Sequence, residues 1–553
     1  MINQTLRYVL WVFIFFILFI LLNSWQNEKI LNKNLEVNNV KHNFNQIETN
    51  DNEIISRHGV NSNVVVNNTD SIINDSNDIS VNEITIDTYL INAKIDLNDG
   101  DITYLSLKKY KDQIDTPQTN FEVFNKYNNK HYFAKSGFIT DVNSTNSRMN
   151  YTCSKTEYKI QENQTELVIN LKSQVNDNVY VNKIYTFKNY SYDINVDFYI
   201  TNLNKTTFYT KFYGLIKKEN KAVKNGFFGS RTYEGGALYT EKKKYKKISF
   251  DDVLNKTHVF TENGGWISIL ERYFLSAWIP EITNKYVYTV ENNDNYYVIR
   301  YINKDNIIVL PNDCKCIKTV LFAGPKTKDD LSKLYAGLDI VIDYGIFWPL
   351  SVSMFLLLNK LFSFVNNWGI SIIIITVMIK LLFFHLSSMS YRSMGNMKKL
   401  QPRLDLLKER YKDDKKEFGH AVMDLYKKEK VNPLSGCLPL LIQIPVFISL
   451  YYVLFESIEL RHAGFFGWID DLSSKDSYYI LPIIMCGTMF IQQRLNPPIQ
   501  DDMQRKVMMF LPFIFLLIFL QFPAGLVLYW VVNNILSILQ QWIITKQIYD
   551  KQN

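Results

Sequence analysis

Residues 368–386 read WGISIIIITVMIKLLFFHL, and this stretch decides the fold class. It holds no acidic residue, and Lys380 and His385 are its only basic ones. A helix of this length, at about 1.5 Å per residue, matches the roughly 30 Å hydrocarbon core of a bilayer. The stretch therefore predicts a transmembrane helix and excludes a wholly soluble protein.

Four more apolar runs extend this prediction to a multi-pass membrane protein. They cover residues 8–22, 437–455, 478–491 and 508–541. The first lacks small residues for signal cleavage, so it predicts an uncleaved signal anchor. The last is too long for one crossing, and FPAG at 522–525 would end one helix and start another. The chain is thus expected to have six transmembrane helices.

The loop charges predict the topology. Residues 387–434 contain 12 Lys or Arg against 7 Asp or Glu, whereas residues 456–477 contain 2 against 5. Because short cytoplasmic loops are enriched in Lys and Arg, the first loop should be cytoplasmic and the second should not. Six crossings from a cytoplasmic amino terminus then place both termini in the cytoplasm and residues 26–366 outside it.

The expected external part has three pieces. Residues 26–80 are rich in Asn, Asp and Ser and predict a disordered tether. Residues 81–328 alternate apolar and polar side chains and predict a large antiparallel β-sandwich. Residues 329–366 predict helices lying along the outer interface, with a seventh span as the alternative. Within the sandwich, the lysine run at 242–247 predicts a solvated loop or edge strand, with contact to anionic headgroups or an acidic partner as the alternative.

The remaining boundaries follow from the same patterns. Apolar residues at helical spacing across 387–434 predict a cytoplasmic helical hairpin. The full division is 1–25 signal-anchor helix 1, 26–80 tether, 81–328 β-sandwich, 329–366 interfacial helices, 367–386 helix 2, 387–434 hairpin, 435–545 helices 3 to 6, and 546–553 cytoplasmic tail.

Composition and motifs argue against an enzyme. The 553 residues carry a net charge of +7, too small for this length to indicate nucleic-acid binding. The nucleotide-binding G-x-x-x-x-G-K-[ST], the zinc motif H-E-x-x-H and the nucleophile motif G-x-S-x-G are all missing from the sequence. The five cysteines lack zinc-site spacing. We therefore expect no nucleotide, metal or other cofactor.

Lys380 is the candidate functional residue, because it lies deep in a predicted span. A cation at that depth costs about 2.5 to 3.5 kcal/mol on insertion scales. Its ammonium could reach the inner headgroups along its own stem, or it could lie in a hydrated cavity. Polar residues of other spans favour the cavity: Gln443, Thr488, Gln492, Asn533 and Asn534.

Several segments resemble the YidC family of bacterial membrane protein insertases. The matching segments are FW at 347–348, WGISIIIIT at 368–376, LQP at 400–402, KVNPL at 430–434, GCLPLLIQIPVF at 436–447 and GLVLY at 525–529, with GGW at 264–266 and AWIP at 277–280 in the β-sandwich. The resemblance covers nearly all of the chain except the tether. In that family an arginine stands at the position of Lys380, and the enteric form has a proline at the position of His385.

The resemblance implies a cationic groove that is open to the cytoplasm and to lipid. Substrate contacts of the family transfer to Thr376, Ile444, Phe447, Tyr529 and Trp530, beside the polar residues above. The implied partners are nascent membrane proteins, the Sec translocon with its SecYEG and SecDF components, the lipid bilayer and, through the hairpin and loops, the ribosome. The implied location is the bacterial inner membrane.

Two other functions were weighed from the residues. A six-span bundle with a buried lysine could be a secondary transporter that binds an anionic solute at Lys380. Transporters usually show inverted repeats and broken helices in both halves, and this sequence has no such symmetry. A sensor or scaffold would depend on the β-sandwich and not on the membrane helices.

Overall fold

The computed structural model describes residues 82–550 apart from short gaps. The gaps are 117, 128–130, 140–148, 162, 220–232, 243, 255, 294–295, 412–413, 430, 432–437 and 497–501. The predicted signal anchor and tether lie outside the described residues.

Two stacked β-sheets form the first half of the described chain. The larger sheet has the strand order β13-β16-β17-β10-β5-β3-β2-β1-β6, with β18 also on β10 and β4 also on β3. Its strands are β1 Glu83–Asp87, β2 Ile91–Asp96, β3 Asp101–Lys111, β4 Asn120–Asn125, β5 Phe133–Ile139, β6 Glu157–Lys159, β10 Phe208–Glu219, β13 His258–Asn263, β16 Lys285–Asn293, β17 Tyr296–Asn303 and β18 Ile307–Val309.

The smaller sheet has the order β12-β11-β14-β15-β19-β9-β8-β7. Its strands are β7 Glu166–Asn176, β8 Val179–Lys188, β9 Asp193–Asn202, β11 Gly235–Thr240, β12 Lys244–Ser249, β14 Trp266–Leu270, β15 Phe274–Pro280 and β19 Asp313–Pro325. One hydrophobic core lies between the two sheets.

The alternating sequence pattern explains this packing. In β9, Ile194, Val196, Phe198 and Ile200 are all fully buried, and the residues between them are more exposed or polar. Alternate residues of a strand point to opposite faces, so one face of β9 packs into the core. The strands are antiparallel as predicted, except that β1 pairs with β6 in parallel.

A buried lysine joins the two sheets. Lys183 on β8 has no exposed surface, and its ammonium donates to the carbonyl oxygens of Gly100 at 2.7 Å and Ser136 at 2.9 Å. The hydroxyl of Tyr185 donates to the same Gly100 oxygen at 2.7 Å. These two acceptors belong to the larger sheet or its turn, so the bonds fix the sheets relative to each other. Burial lowers the pKa of Lys183 to about 8.

This lowered pKa predicts how stability depends on pH. Between about pH 8 and the ordinary lysine value of 10.5, the unfolded chain holds a proton that the folded chain has released. Stability should therefore rise with pH in this window, by up to about 1.4 kcal/mol per unit, and that gain is lost as the pH falls from 10.5 back to 8. We expect the apparent melting temperature of the full chain, measured at pH 8.0 and 9.5, to reflect this rise.

The matched variants are Lys183→Met and Lys172→Met, the latter at an exposed position on β7. Tyrosine ionisation affects all the proteins alike. The comparison is therefore between the slopes of melting temperature against pH. Lys183→Met should lose the rise and Lys172→Met should keep it. An identical slope in Lys183→Met would show that Lys183 does not titrate in this window.

Ten α-helices, most of them apolar, form the rest of the described chain. They are α1 Lys328–Leu334, α2 Trp348–Val365, α3 Trp368–Leu382, α4 Phe384–Lys399, α5 Gln401–Arg410, α6 Lys415–Lys428, α7 Leu438–Glu456, α8 Ile480–Leu495, α9 Asp502–Phe519 and α10 Ala524–Asp550. A second hydrophobic core joins α2, α3, α7, α8, α9 and α10.

Within the described residues, α2 and α10 are each long and apolar enough to cross a membrane, and the bent pair α3 and α4 would make a third span. The helices at 441–456 and 480–495 are apolar but shorter. The count of six transmembrane helices therefore stays a prediction. So does the interfacial position of α2, because its length and hydropathy would also allow it to cross.

The second predicted span is not one straight helix. α3 ends at Leu382 and α4 begins at Phe384, with a bend of 67° between them. The expectation of a continuous helix over 367–386 was therefore wrong. Sharp bends usually occur at proline or glycine, or where a polar group inserts into the backbone ladder. Here the amide of Gln540 on α10 donates to the carbonyl of Phe384 at 3.1 Å, a side-chain bond to the backbone at the bend.

The segment predicted as a hairpin contains a packed helix pair. Leu400, Leu404 and Tyr426 form its small buried core. Arg403 near the start of α5 pairs with Glu429 just after α6 at 2.5 Å, which indicates that the two helices are antiparallel. Its cytoplasmic position remains a prediction.

Two arginines hold the β domain against the helices. Arg272, in the turn between β14 and β15, donates to the carbonyl oxygen of Phe455 near the end of α7 at 3.2 Å and stacks on that ring. Arg461, just after α7, donates to the carbonyl oxygen of Asp112 in the β domain at 2.9 Å. One arginine from each side therefore fixes this contact at the end of α7.

Candidate functional site

A small, partly open cavity of about 30 Å³ lies among α3, α4, α7 and α10. It is lined by Ile379, Lys380, Phe383, Ser387, Ile442, Gln443, Val446, Tyr529 and Asn533. The lining combines one cation, several polar groups and an apolar wall. A polar cavity of this size can hold water beside the ammonium.

Lys380 is held within this cavity by a directional chain of hydrogen bonds. Its ammonium donates to the hydroxyl of Ser537 on α10 at 2.7 Å. That hydroxyl donates in turn to the backbone carbonyl of Asn533 at 2.7 Å. Lys380 is half-buried, and its contact with α10 holds the ammonium inside the bundle. In the structure the ammonium is therefore directed towards α10, within the bundle.

The charge of Lys380 has no acidic counterpart in the described part of the chain. No Asp or Glu of the described residues forms an ion pair with it or adds a charge interaction at its ammonium. A cation without a carboxylate partner is available to attract an anionic or strongly polar group. This is the principal chemical property of the cavity.

Aromatic rings form the wall next to the polar groups. Phe447 on α7 packs edge-on against Trp530, with ring centroids 4.8 Å apart, and lies nearly parallel to Tyr529 at 6.4 Å. Gln443 on α7 makes a long contact, 3.5 Å, with the Tyr529 hydroxyl. These contacts place α7 beside α10 along the cavity.

Four of the residues predicted for the site line the cavity: Lys380, Gln443, Tyr529 and Asn533. Phe447 and Trp530 lie beside it through their ring contacts. Ile444 is half-buried on α7 between Gln443 and Val446, and Gln492 is half-buried on α8, outside the cavity lining.

Two predicted polar residues are engaged elsewhere. Thr376 is 1% exposed, and its hydroxyl donates to the carbonyl of Ile372 one turn earlier at 2.6 Å. Thr488 accepts a hydrogen bond from Asn534 at 3.1 Å, which pairs α8 with α10. These hydroxyls satisfy neighbouring groups inside the bundle and do not line the cavity.

Sequence reasoning missed the apolar lining and Ser537. Ile379, Phe383, Ile442 and Val446 look like ordinary helix packing residues in the sequence. Ser537 had a usable signal, because it follows Asn533 by four residues and so lies on the same face of α10. Among the described residues, the structure has no cluster of three or more His, Cys, Asp or Glu side chains that could hold a metal ion.

Both halves of the chain match known protein families. Residues 360–552 match the family described as 60Kd inner membrane protein. Residues 83–357 match the family described as YidC periplasmic domain. Together the two matches cover nearly all of the described residues.

Individual relatives agree with these families. The membrane protein insertase YidC of Cellvibrio japonicus is 42% identical over 479 residues, which cover 86% of each chain. The membrane protein insertase YidC of Stutzerimonas stutzeri is 43% identical over 471 residues, which cover 84% of each chain. A crystal structure of an active YidC insertase with its first transmembrane domain resolved is 19% identical, covers 83% of this chain and 92% of its own, and gives a TM-score of 0.38.

Proposed function

The chain belongs to the YidC family of membrane protein insertases, and from that membership we propose that it inserts proteins into the bacterial inner membrane through the Lys380 cavity. Members of this family are insertases and not enzymes, and they are inner-membrane proteins. The proposal concerns the route: a hydrated cationic groove that is open to the cytoplasm and to lipid. Nascent membrane proteins are the substrates that an insertase implies.

One observation carries the proposal. The Lys380 ammonium lies inside a cavity among membrane helices, tied to Ser537 and without a carboxylate partner among the described residues. Charged groups inside membrane helices usually face a water-filled cavity or mark a substrate pathway. An insertase needs such a place for the polar tail of its substrate.

The energetics support insertion without a fuel. Twenty apolar residues contribute about 6 to 12 kcal/mol on entering the bilayer, at roughly −0.3 to −0.6 kcal/mol each. Each charged residue at full depth costs about 2.5 to 3.5 kcal/mol. A hydrated cavity shortens the apolar distance that the tail must cross, so short tails with few charges should pass unaided.

The proposed topology places the β domain in the periplasm, both termini and the helix pair α5 and α6 in the cytoplasm, and six helices across the membrane. The loop charges support this arrangement. Substrates with heavily charged tails would need the Sec translocon, with which this protein would act as a chaperone, and the basic helix pair would face the ribosome.

Site-specific photocrosslinking to a stalled nascent membrane protein tests this route. A photoreactive residue at Gln443 or Phe447 should crosslink to the substrate helix or its tail, because both positions face or adjoin the cavity. Trp530 should do the same. Thr376 should crosslink weakly, because it is 1% exposed.

Ile483 on α8 is the matched control, because it is 60% exposed on an apolar helix and does not line the cavity. Substrate contact through the cavity requires crosslinks from Gln443 and Phe447 and few from Ile483. Equal yields from all three positions would mean that substrates meet the helices only through the surrounding lipid.

A further inference from the structure

Residues 244–247 of the lysine run lie on β12, an outer edge of the smaller sheet. The run contains five lysines with one glutamate just before it at position 241. Lys242, Lys244 and Lys246 are exposed, and the Lys246 ammonium lies 4.8 Å from the centroid of the Phe260 ring. β12 therefore presents a positively charged edge.

A salt bridge connects this edge of the sheet to the segment that leads into α2. Lys247 pairs with Asp343 at 2.6 Å. Asp343 stands two residues before Gly345 and five before Trp348, where α2 begins. The lysine edge is thus tied to the segment that leads into the membrane region.

That segment is pressed against the outer end of α7. A side-chain carbon at Gly345 would lie 2.3 Å from the Tyr452 ring, so the backbone there directly covers the ring. Tyr452 is one turn before Glu456, the last residue of α7. Gly345 therefore lies level with the last turn of α7. Asp343, two residues earlier in the chain, lies close to the same level.

The surface near this level also has the character of a membrane interface. Trp348 is 63% exposed and Ile346 is 42% exposed. Exposed tryptophan is typical of the headgroup region. The headgroup layer extends about 5 to 8 Å beyond the hydrocarbon on each side. Lys247 bonds to Asp343 at this level, and Lys244 and Lys246 precede it by three residues and one residue on β12.

Protection of a sheet edge does not by itself explain the lysines. Edge strands often carry lysine because its charge prevents pairing with other chains. The opposite edge of the same sheet, β7, is longer at 11 residues and exposes Val168 by 57%, yet Lys172 is its only lysine. The cluster is thus confined to the edge that is tied to the membrane segment.

We propose that the lysine edge, formed by Lys244, Lys246 and Lys247 on β12, binds the headgroups of anionic phospholipids in the membrane leaflet that faces the β domain. This goes beyond the insertase function and does not depend on the Lys380 cavity. Bound headgroups would hold the β domain down on the bilayer beside α2. A lysine near an anionic membrane surface contributes about 1 kcal/mol, or about fivefold in affinity.

Lysine acetylation in nanodiscs tests the proposal. The full chain is reconstituted in neutral phosphatidylcholine or in phosphatidylcholine with phosphatidylglycerol, and acetylation rates are measured by mass spectrometry. Lys244 and Lys246 should react several-fold more slowly in the anionic nanodiscs, and high salt should remove the difference. Lys172 and Lys315 are exposed controls on β7 and at the start of β19, and their rates should not change.

Two double variants complete the test through the phosphatidylglycerol that copurifies with the full chain. Lys244→Ser with Lys246→Ser should retain several-fold less of it, and Lys244→Arg with Lys246→Arg should retain the original amount. Equal acetylation in both nanodiscs, or equal lipid retention by the serine variant, would overturn the proposal. Protection in native membranes but not in anionic nanodiscs would also overturn it and would point to an acidic protein partner.

Discussion

Replacing Lys380 with methionine is expected to lower the insertion of a short substrate with an acidic tail about tenfold. A carboxylate about 5 Å from the ammonium, at an effective dielectric constant of about 20, is stabilised by about 3 kcal/mol. Water in the cavity reduces this figure, and a remaining 1.4 kcal/mol or so corresponds to a tenfold change in rate. Methionine keeps the length and apolar stem of lysine and removes the charge. The measurement is insertion into proteoliposomes that contain the purified variant.

The controls separate charge from folding. Lys380→Arg keeps the positive charge and should insert the acidic substrate at close to the original rate. A second substrate has the Asp and Glu residues of its tail changed to Asn and Gln. Its insertion should change little in the Lys380→Met variant. Undiminished insertion of the acidic substrate by a folded Lys380→Met protein would rule out an electrostatic role for this residue.

Replacing Gly369 with leucine is expected to destabilise the helical bundle by about 3 kcal/mol. Gly369 is the second residue of α3, which is capped by Asn367 through a 3.0 Å bond from the Ile370 amide. A side-chain carbon at Gly369 would lie 2.0 Å from the ring of Phe465, in the loop after α7. Overpacking of this kind typically costs about 1 to 3 kcal/mol and sometimes more, because the ring and its loop must move. Unfolding of the full chain in mixed micelles, followed by tryptophan fluorescence, measures the loss.

Gly487 on α8 provides the same substitution without the contact. Outside its own helix backbone and chain neighbours, no atom of the described residues lies within 4 Å of the position that its side-chain carbon would occupy. Gly487→Leu should leave the free energy of unfolding unchanged or slightly improved, because leucine favours helix more than glycine does. Comparable losses in the two variants would mean that the Phe465 contact is not what makes leucine costly at position 369.

The β-sandwich was predictable because apolar and polar residues alternate along its strands, and this alternation indicates which face of each strand is buried. Alternation in β9 directly reports which face packs in the core, and the structure buries those four residues completely. The bend at Phe383 was not predictable in this way. It occurs without proline or glycine, and the side chain that bonds at the bend, Gln540, is more than 150 residues away. Long-range hydrogen bonds of this kind leave no local signal.

The sequence predicted only part of the candidate site, and the missing part also depends on contacts between distant residues. Lys380 stands out because an ammonium in a span is costly, and the structure places it in the cavity. Thr376 and Thr488 looked equally polar, yet their hydroxyls are satisfied inside the bundle. A sequence shows that a polar group must find a partner, but not whether that partner is a protein atom or water. Helical spacing from Asn533 would have identified Ser537.

The hydroxyl of Ser537 has a further consequence for what enters the cavity. Since its proton points to the Asn533 carbonyl, it presents only lone pairs towards Lys380. Negative charge is therefore repelled from the side of the lysine that faces α10. An incoming carboxylate should therefore approach the ammonium from a side other than the one that Ser537 occupies.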